Sequence, residues 1–313
     1  MRTKLFPLLL LSLGLAGCLS NPQKDHRTIS MDLSPDKKTI VFSAFGKYDS
    51  DLYLLDLATR KARLLSALRG NELTPHFSPD GKKIAFALTN LEYKSSAIHE
   101  IELATGKVTK ILDNGPYFDY HPMYGKEGSE LFFNRAHRRR PYSFGGYVWD
   151  QWDLYKVHSG TATRLTESLY YQLYKSSFNA TTGDVFFSVS VDKETPIYRL
   201  DTRGTLLVYR KRGSWGVTPR VSGEPIYIND HNQDFDYELY LATDSGDKKL
   251  TNMKSYLRDP CVSHDGRDIF FLSDLHRSHR YDLYTVKSDG TQLTKIVGSE
   301  FFDNPLASGT TIL

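Results

Sequence analysis

Cysteine is nearly absent: the 313 residues hold two, Cys18 and Cys261, so no disulfide framework organises the fold. An excess of one charge is missing too. Lys and Arg number 40 against 37 Asp and Glu, and removing residues 1–17 takes away Arg2 and Lys4 but no acid, leaving 38 against 37. Near-neutrality excludes a global nucleic-acid or polybasic membrane function. Signatures of catalysis are lacking: there is no G-x-S-x-G elbow, no H-E-x-x-H and no phosphate loop. The one apolar run, Leu5 to Leu15, is too short to stay in a bilayer as a helix.

What the chain has is a repeat. Ser78-Pro79-Asp80-Gly81-Lys82-Lys83-Ile84-Ala85-Phe86 returns in degraded form roughly every 40 to 55 residues. Pro79 presets the first turn φ, Asp80 bonds forward to the backbone, and Gly81 accepts positive φ before alternation resumes. Copies begin at Ser34, where Lys37 replaces the glycine and puts the turn geometry in question, and at Ser263; weaker ones begin at Gly125, Asn179 and Ser222. After each turn comes a Leu-Tyr strand or its equivalent (Asp51-Leu52-Tyr53, Ile98-His99, Asp153-Leu154-Tyr155, Ile197-Tyr198, Glu238-Leu239-Tyr240, Asp282-Leu283-Tyr284). A short fourth strand then closes the unit, as in Leu165-Thr166, Leu250-Thr251 and Gln292-Leu293-Thr294. Four strands per unit predict an all-β propeller of four-stranded antiparallel blades.

The Ser-Pro-Asp-Gly phrase followed by Leu-Tyr resembles the WD40-like (PD40) repeat of the TolB family's β-propeller domain, across nearly all of residues 28–313. The resemblance is to the propeller alone, since residues 1–27 leave no room for the α/β domain that precedes it in that family. Seven first strands against six complete sets of the others predict six blades. The resemblance adds that Asn304 to Ser308 returns to the first blade, against or in place of Ile29 to Leu33, as a closing strand. It also implies a partner-binding role, the family's own being to bind peptidoglycan-associated lipoprotein.

Arg2 and Lys4, the apolar run and Leu15-Ala16-Gly17-Cys18 together resemble a bacterial lipoprotein signal. Residues 1–17 are expected to be cleaved, Cys18 lipidated, and residues 18–27 to tether the propeller domain, residues 28–313. Leu19, in place of Asp, points to the outer membrane, facing the periplasm. Cys261 reads as a buried thiol.

The Pro-Asp-Gly turns share one face and read as structural, so binding residues are expected on the opposite, loop-rich face. Its longest loop, Arg135 to Gln151, interleaves Arg135, His137, Arg138, Arg139 and Arg140 with Tyr142, Phe144, Tyr147 and Trp149. Such a mixture suits carboxylate, phosphate or sugar surfaces and interface hot spots. His276, Arg277, His279 and Arg280 extend the same rim. Asp230, Asn232, Asp234 and Asp236 alternate as in calcium loops, but Phe235 replaces the glycine and Leu241 the bidentate Glu. A plain polar hairpin is favoured there, calcium being the one cofactor the spacing admits.

The leading expectation is a monomeric, non-enzymatic, lipid-anchored scaffold that docks an envelope protein or polysaccharide and no nucleic acid. The alternative is a lyase or hydrolase of acidic saccharides, holding carboxylates with Arg135 to Arg140 and moving protons or binding metal with His231, His276 or His279.

Overall fold

The computed structural model describes residues 30–308 except 47, 113–114, 142–145, 192–193, 212–215, 220–222, 230–235 and 276–279. Among these residues, twenty-four strands and one short α-helix follow in order. The first eight are β1 (Met31–Leu33), β2 (Thr39–Phe45), β3 (Ser50–Asp56), β4 (Lys61–Ser66), β5 (Asn71–Phe77), β6 (Lys83–Thr89), β7 (Ser96–Glu102) and β8 (Val108–Lys110). Next come β9 (Phe118–Tyr124), β10 (Glu130–Pro141), β11 (Tyr147–His158), β12 (Thr161–Arg164), β13 (Ser177–Phe178), β14 (Val185–Ser188), β15 (Ile197–Leu200) and β16 (Leu206–Arg210). The last are β17 (Val217–Pro219), β18 (Pro225–Asn229), β19 (Glu238–Leu241), β20 (Lys248–Lys249), β21 (Tyr256–Val262), β22 (Asp268–Asp274), β23 (Asp282–Lys287) and β24 (Thr294–Val297).

From β9 onward the strands form four separate four-stranded antiparallel sheets, the blades of a β-propeller. Six separate blades were not found. The first eight strands form a single sheet, because Ser50 of β3 pairs in parallel with Asn71 of β5.

The turns follow their local chemistry. The Ser34 hydroxyl donates to Asp36 at 2.7 Å and accepts the Thr39 amide at 2.9 Å, while Asp36 accepts the Lys38 amide at 3.1 Å. Ser78 with Asp80 and Ser263 with Asp265 repeat the pattern. Lys37 takes φ 61°, close to the 70° of Gly81 and 71° of Gly266, so the first turn keeps its geometry at a cost of about 1–2 kcal/mol. Its ammonium reaches across to Asp265 at 2.6 Å and Asp268 at 3.3 Å in the last sheet.

Alternation along the strands sends neighbouring residues to different cores. Val41 packs with Phe77, Ile84 and Phe86 of the second unit, whereas Phe42 packs with Cys261, Phe270, Leu272 and Phe302 from the end of the chain. Cys261 is buried as expected, and burial pushes its thiol up to about 12.

The last segment departs from expectation. Asn304 to Ser308 is no strand: α1 (Ser299–Asp303) is followed by a 3-10 turn, Pro305–Ser308, which lies on β4 instead of β1. Pro305 has no amide to give a ladder. Phe302 instead meets Phe42 edge-on at 5.3 Å. The last β-strand also sits at Thr294–Val297, later than Gln292 to Thr294.

The recurring acid before Leu-Tyr and the Thr after the fourth strand form one device. The Thr251 hydroxyl donates to Glu238 at 2.6 Å and accepts the Leu239 amide at 3.0 Å, and Glu238 also takes the amides of Met253 and Lys254. Asp153 and Thr166 repeat it, with the amides of Ser168 and Leu169. In the first unit Glu72 takes this role, accepting Ser66 at 2.5 Å and the Leu52 amide at 3.3 Å.

Burial pushes the Glu72 carboxyl up to about 7 and that of neighbouring Asp51 up to about 6. A folded-state pKa above the unfolded one means that the stability tied to the Glu72 proton is present below about pH 4.5 and lost as pH rises through 7. Glu72→Gln should therefore raise the melting temperature at pH 8, by no more than the equivalent of ~3 kcal/mol, with the gain shrinking by pH 4.5. An equal effect at both pH values would mean that Glu72 is charged in the folded protein.

Candidate functional site

The stretch from Arg135 to Gln151 is a hairpin extension of its sheet. β10 and β11 stay paired out to Pro141 opposite Tyr147. A carboxylate set across from arginines explains this: Asp150 lies opposite Arg138, accepting its guanidinium at 2.8 and 3.0 Å, and accepts that of Arg140 as well. Burial alone would raise the Asp150 pKa, but the two guanidiniums outweigh it and hold the group below its ordinary value.

The expected binding residues divide into three groups. Arg135 is internal: it makes a two-pronged pair with Asp119 at 2.7 and 2.8 Å beneath the rings of Tyr117, Phe133 and Tyr155. His137 stands 3.7 Å from Asp153 and 3.3 Å from the Tyr155 hydroxyl, and burial lowers its pKa, so it is neutral at physiological pH. Trp149 stacks on Phe118 and donates to the Tyr93 carbonyl at 2.8 Å, tying the hairpin to the second unit.

Farther out the arginines reach the surface, Arg138 exposed and Arg139 and Arg140 partly so. Arg139, on the opposite face of its strand from Arg138 and Arg140, rests over the Tyr147 ring at 3.8 Å. Arg140 leans over Tyr171 at 5.5 Å. Tyr147 and Tyr171, the rings beneath these two arginines, are 45% and 48% exposed, and Leu169 is 43% exposed. Tyr171 and Leu169 were missed in the sequence; the Leu169-Tyr170-Tyr171 run after a fourth strand, whose outer two residues are exposed and whose middle one is buried, was the available signal.

At the other end of the strands is a cavity of about 730 Å³. Residues of β1, β5, β9, β13, β17 and β21 line it together with Pro35, Pro79, Lys126, Asn179 and His264 of the turns. A second, small space of about 10 Å³, room for one water, lies among Ser30, Thr74, His121, Lys175 and Asp259 and shares His76, Lys175 and Ser176 with the lining of the larger cavity. Thr74, His121 and Asp259 each take positive φ directly before a proline, at 51°, 51° and 48°. Such non-glycine conformations are costly and mark bulges in the inner strands. The turn face therefore carries more shape than its repetitive sequence suggests.

The PD40 family, described as the TolB beta propeller domain, matches residues 21–166. The chain carries a TolB-like PD40 propeller. Tol-Pal system protein TolB of Francisella tularensis subsp. holarctica (strain OSU18) is 33% identical over 92 residues, which are 29% of this chain and 21% of the relative. TolB of subsp. mediasiatica (strain FSC147) is 32% identical over the same length. The match thus spans about a fifth of these relatives. Among solved structures, TolB from Acinetobacter baumannii superposes with TM-score 0.64 at 17% identity, over 88% of this chain and 65% of that one. An oligogalacturonate lyase in complex with manganese gives 0.60 at 15%, over 86% and 76%. At these identities the likeness is one of fold.

The remaining candidates are placed as follows on the TolB-like propeller. Arg280 pairs with Asp303. Tyr142, Phe144, His276, Arg277, His279, Asp230, Asn232, Asp234, His231 and Cys18 lie outside the described residues. Asp236 is described, and among the described residues no three His, Cys, Asp or Glu side chains are grouped to hold a metal. No helix among them is long and apolar enough to cross a membrane.

Proposed function

We infer that this protein is a lipid-anchored propeller of the bacterial cell envelope that binds an envelope protein without catalysing a reaction. The observation that carries this reading is the outer half of the β10–β11 hairpin, where Arg139 lies over the half-exposed Tyr147 ring, and, on the other face, Arg140, held by Asp150, leans over the half-exposed Tyr171. Arg and Tyr so placed are the residues that anchor protein interfaces. Groups suited to acid–base or carboxylate chemistry are already paired: Arg135 with Asp119, Arg138 and Arg140 with Asp150, and His137 with Asp153 and Tyr155. Likeness to proteins of the Tol-Pal system supports the envelope setting. The order of Leu15, Ala16, Gly17, Cys18 and Leu19 supports an anchor in the outer membrane, facing the periplasm.

The scaffold is a closed ring of six units, the eight-stranded sheet counting as two. Three features support this: the cavity lined by six first strands, the core shared by the first and last sheets, and the Lys37 bridge to Asp265 and Asp268. Closure rests on packing and this ion pair in place of a returning strand.

The test uses the Cys18→Ser protein, which should leave the membrane fraction while keeping its fold; persistent membrane association would remove the anchor. Used as bait on envelope extracts, it should retain a protein partner. Combining Arg139→Ala and Tyr147→Ala should weaken that capture about tenfold or more with an unchanged melting curve. Capture unaffected by the pair would return this tip to an ordinary solvated surface.

A further inference from the structure

Among the described residues, the fourth strand of each unit has a strand partner on one side only. Its open side is a template for another chain, and natural sheets guard such edges with charge, brevity or a cover. Most outer strands here are guarded. β8 contains Lys110, β12 Arg164, β20 is Lys248-Lys249, and β24 contains Lys295. β4 contains Lys61 and Arg63 and lies against the 3-10 turn.

β16 is different. Its one charged residue, Arg210, ends the strand and is paired with Asp247 at 3.0 Å, while the four residues before it, Leu206-Leu207-Val208-Tyr209, carry no charge, and Leu207 and Val208 are 46% and 56% exposed. As successive strand residues they point to opposite faces, so the rim is apolar on both.

The hydrogen-bonding phase of this edge is readable. Asp201 donates its amide to the Thr205 carbonyl at 3.0 Å, and two residues on in each strand Arg199 stands opposite Leu207. Antiparallel alternation then turns the backbone groups of Leu207 toward β15 and those of Leu206 and Val208 outward. The register irregularity between Ile197 and Tyr198, opposite Tyr209, ends the regular stretch.

We propose that β16 is a self-association edge, at which a second copy of this chain pairs antiparallel, β16 to β16, about a twofold axis at Leu207. In that register Leu206 faces Val208 of the other copy twice, each as a hydrogen-bonded pair, and Leu207 faces Leu207 as a close pair between them. Four backbone hydrogen bonds form, and apolar side chains meet on both faces. A second copy fits because its edge supplies this phase and pattern by symmetry. At the strand ends Arg203 pairs with Asp201 at 2.8 Å and Arg210 with Asp247 at 3.0 Å; exposed Lys211, just past the strand, comes opposite Arg203 of the other copy, which limits the pairing to the apolar centre. So short an edge buries less than the ~1,200 Å² of a stable complex, so the dimer is weak and concentration-dependent.

The experiment uses the full chain with Cys18→Ser, which leaves the buried Cys261 as its other thiol. Sedimentation velocity over a concentration series should show a monomer–dimer shift. Leu207→Lys should abolish it without moving the melting curve, since two ammonium-bearing stems would face each other. Leu207→Cys should form a disulfide dimer on mild oxidation, because facing Cα atoms of a close pair lie within disulfide reach, whereas Arg203→Cys should not. The proposal is overturned by a chain that stays monomeric throughout, by a dimer that survives Leu207→Lys, or by cross-linking no greater at position 207 than at 203. A monomer whose β16 edge accepts only an extended apolar peptide also overturns it.

Discussion

Replacing Asp119 by Ala is expected to cost about 3–5 kcal/mol of folding stability, read as a lower urea midpoint at unchanged slope. Asp119 is fully buried and Arg135 is 7% exposed, so the substitution leaves a guanidinium beneath three rings with its two-pronged partner gone. The penalty is chiefly that of an uncompensated buried charge, not the net worth of the pair. Asp119→Asn, which keeps one acceptor, should fall between the parent and Ala. A loss under about 1 kcal/mol would mean that Arg135 can swing into solvent, where it would become available to a ligand after all.

Phe302→Ala is the second large effect, about 3–5 kcal/mol. Phe302 is 3% exposed and fills the core that the first and last sheets share, edge-on to Phe42 and beside Phe301. Emptying this position leaves a cavity where, among the described residues, no backbone ladder joins the two sheets, so little else can collapse to fill it. Thermal melting should drop by several degrees, and Phe301→Ala, at a partly exposed position, should cost less. If Phe302→Ala melts with the parent, the two sheets are held by contacts other than this core.

The sequence made the repeat legible because its turn chemistry is local. Ser, Asp and a positive φ within five residues close the turn wherever it sits, even with Lys37 in the glycine position. The join of the first two units was illegible, since a single Ser50–Asn71 pair depends on where two strands meet in space. Asn304-Pro305-Leu306 resembled a first strand, but the burial of Phe302 against Phe42 took the segment elsewhere.

The candidate site was half legible. Basic and aromatic residues were visible between Arg135 and Trp149, but which arginines face outward depends on the carboxylates across the strands. Asp119 claims Arg135, and Asp150 claims Arg138 and Arg140. Tyr171 joins the site through Arg140 from a different connection, which no spacing rule announces.

The most direct test of the binding reading is a photo-crosslinking amino acid placed at Tyr171, 48% exposed beside Arg140, and separately at Lys82 in a turn at the opposite end of the strands, in intact cells. A protein adduct at position 171 that is absent at 82 is the predicted result. An adduct at 82 with none at 171 would contradict it, moving the docking surface to the face where the turns surround the cavity.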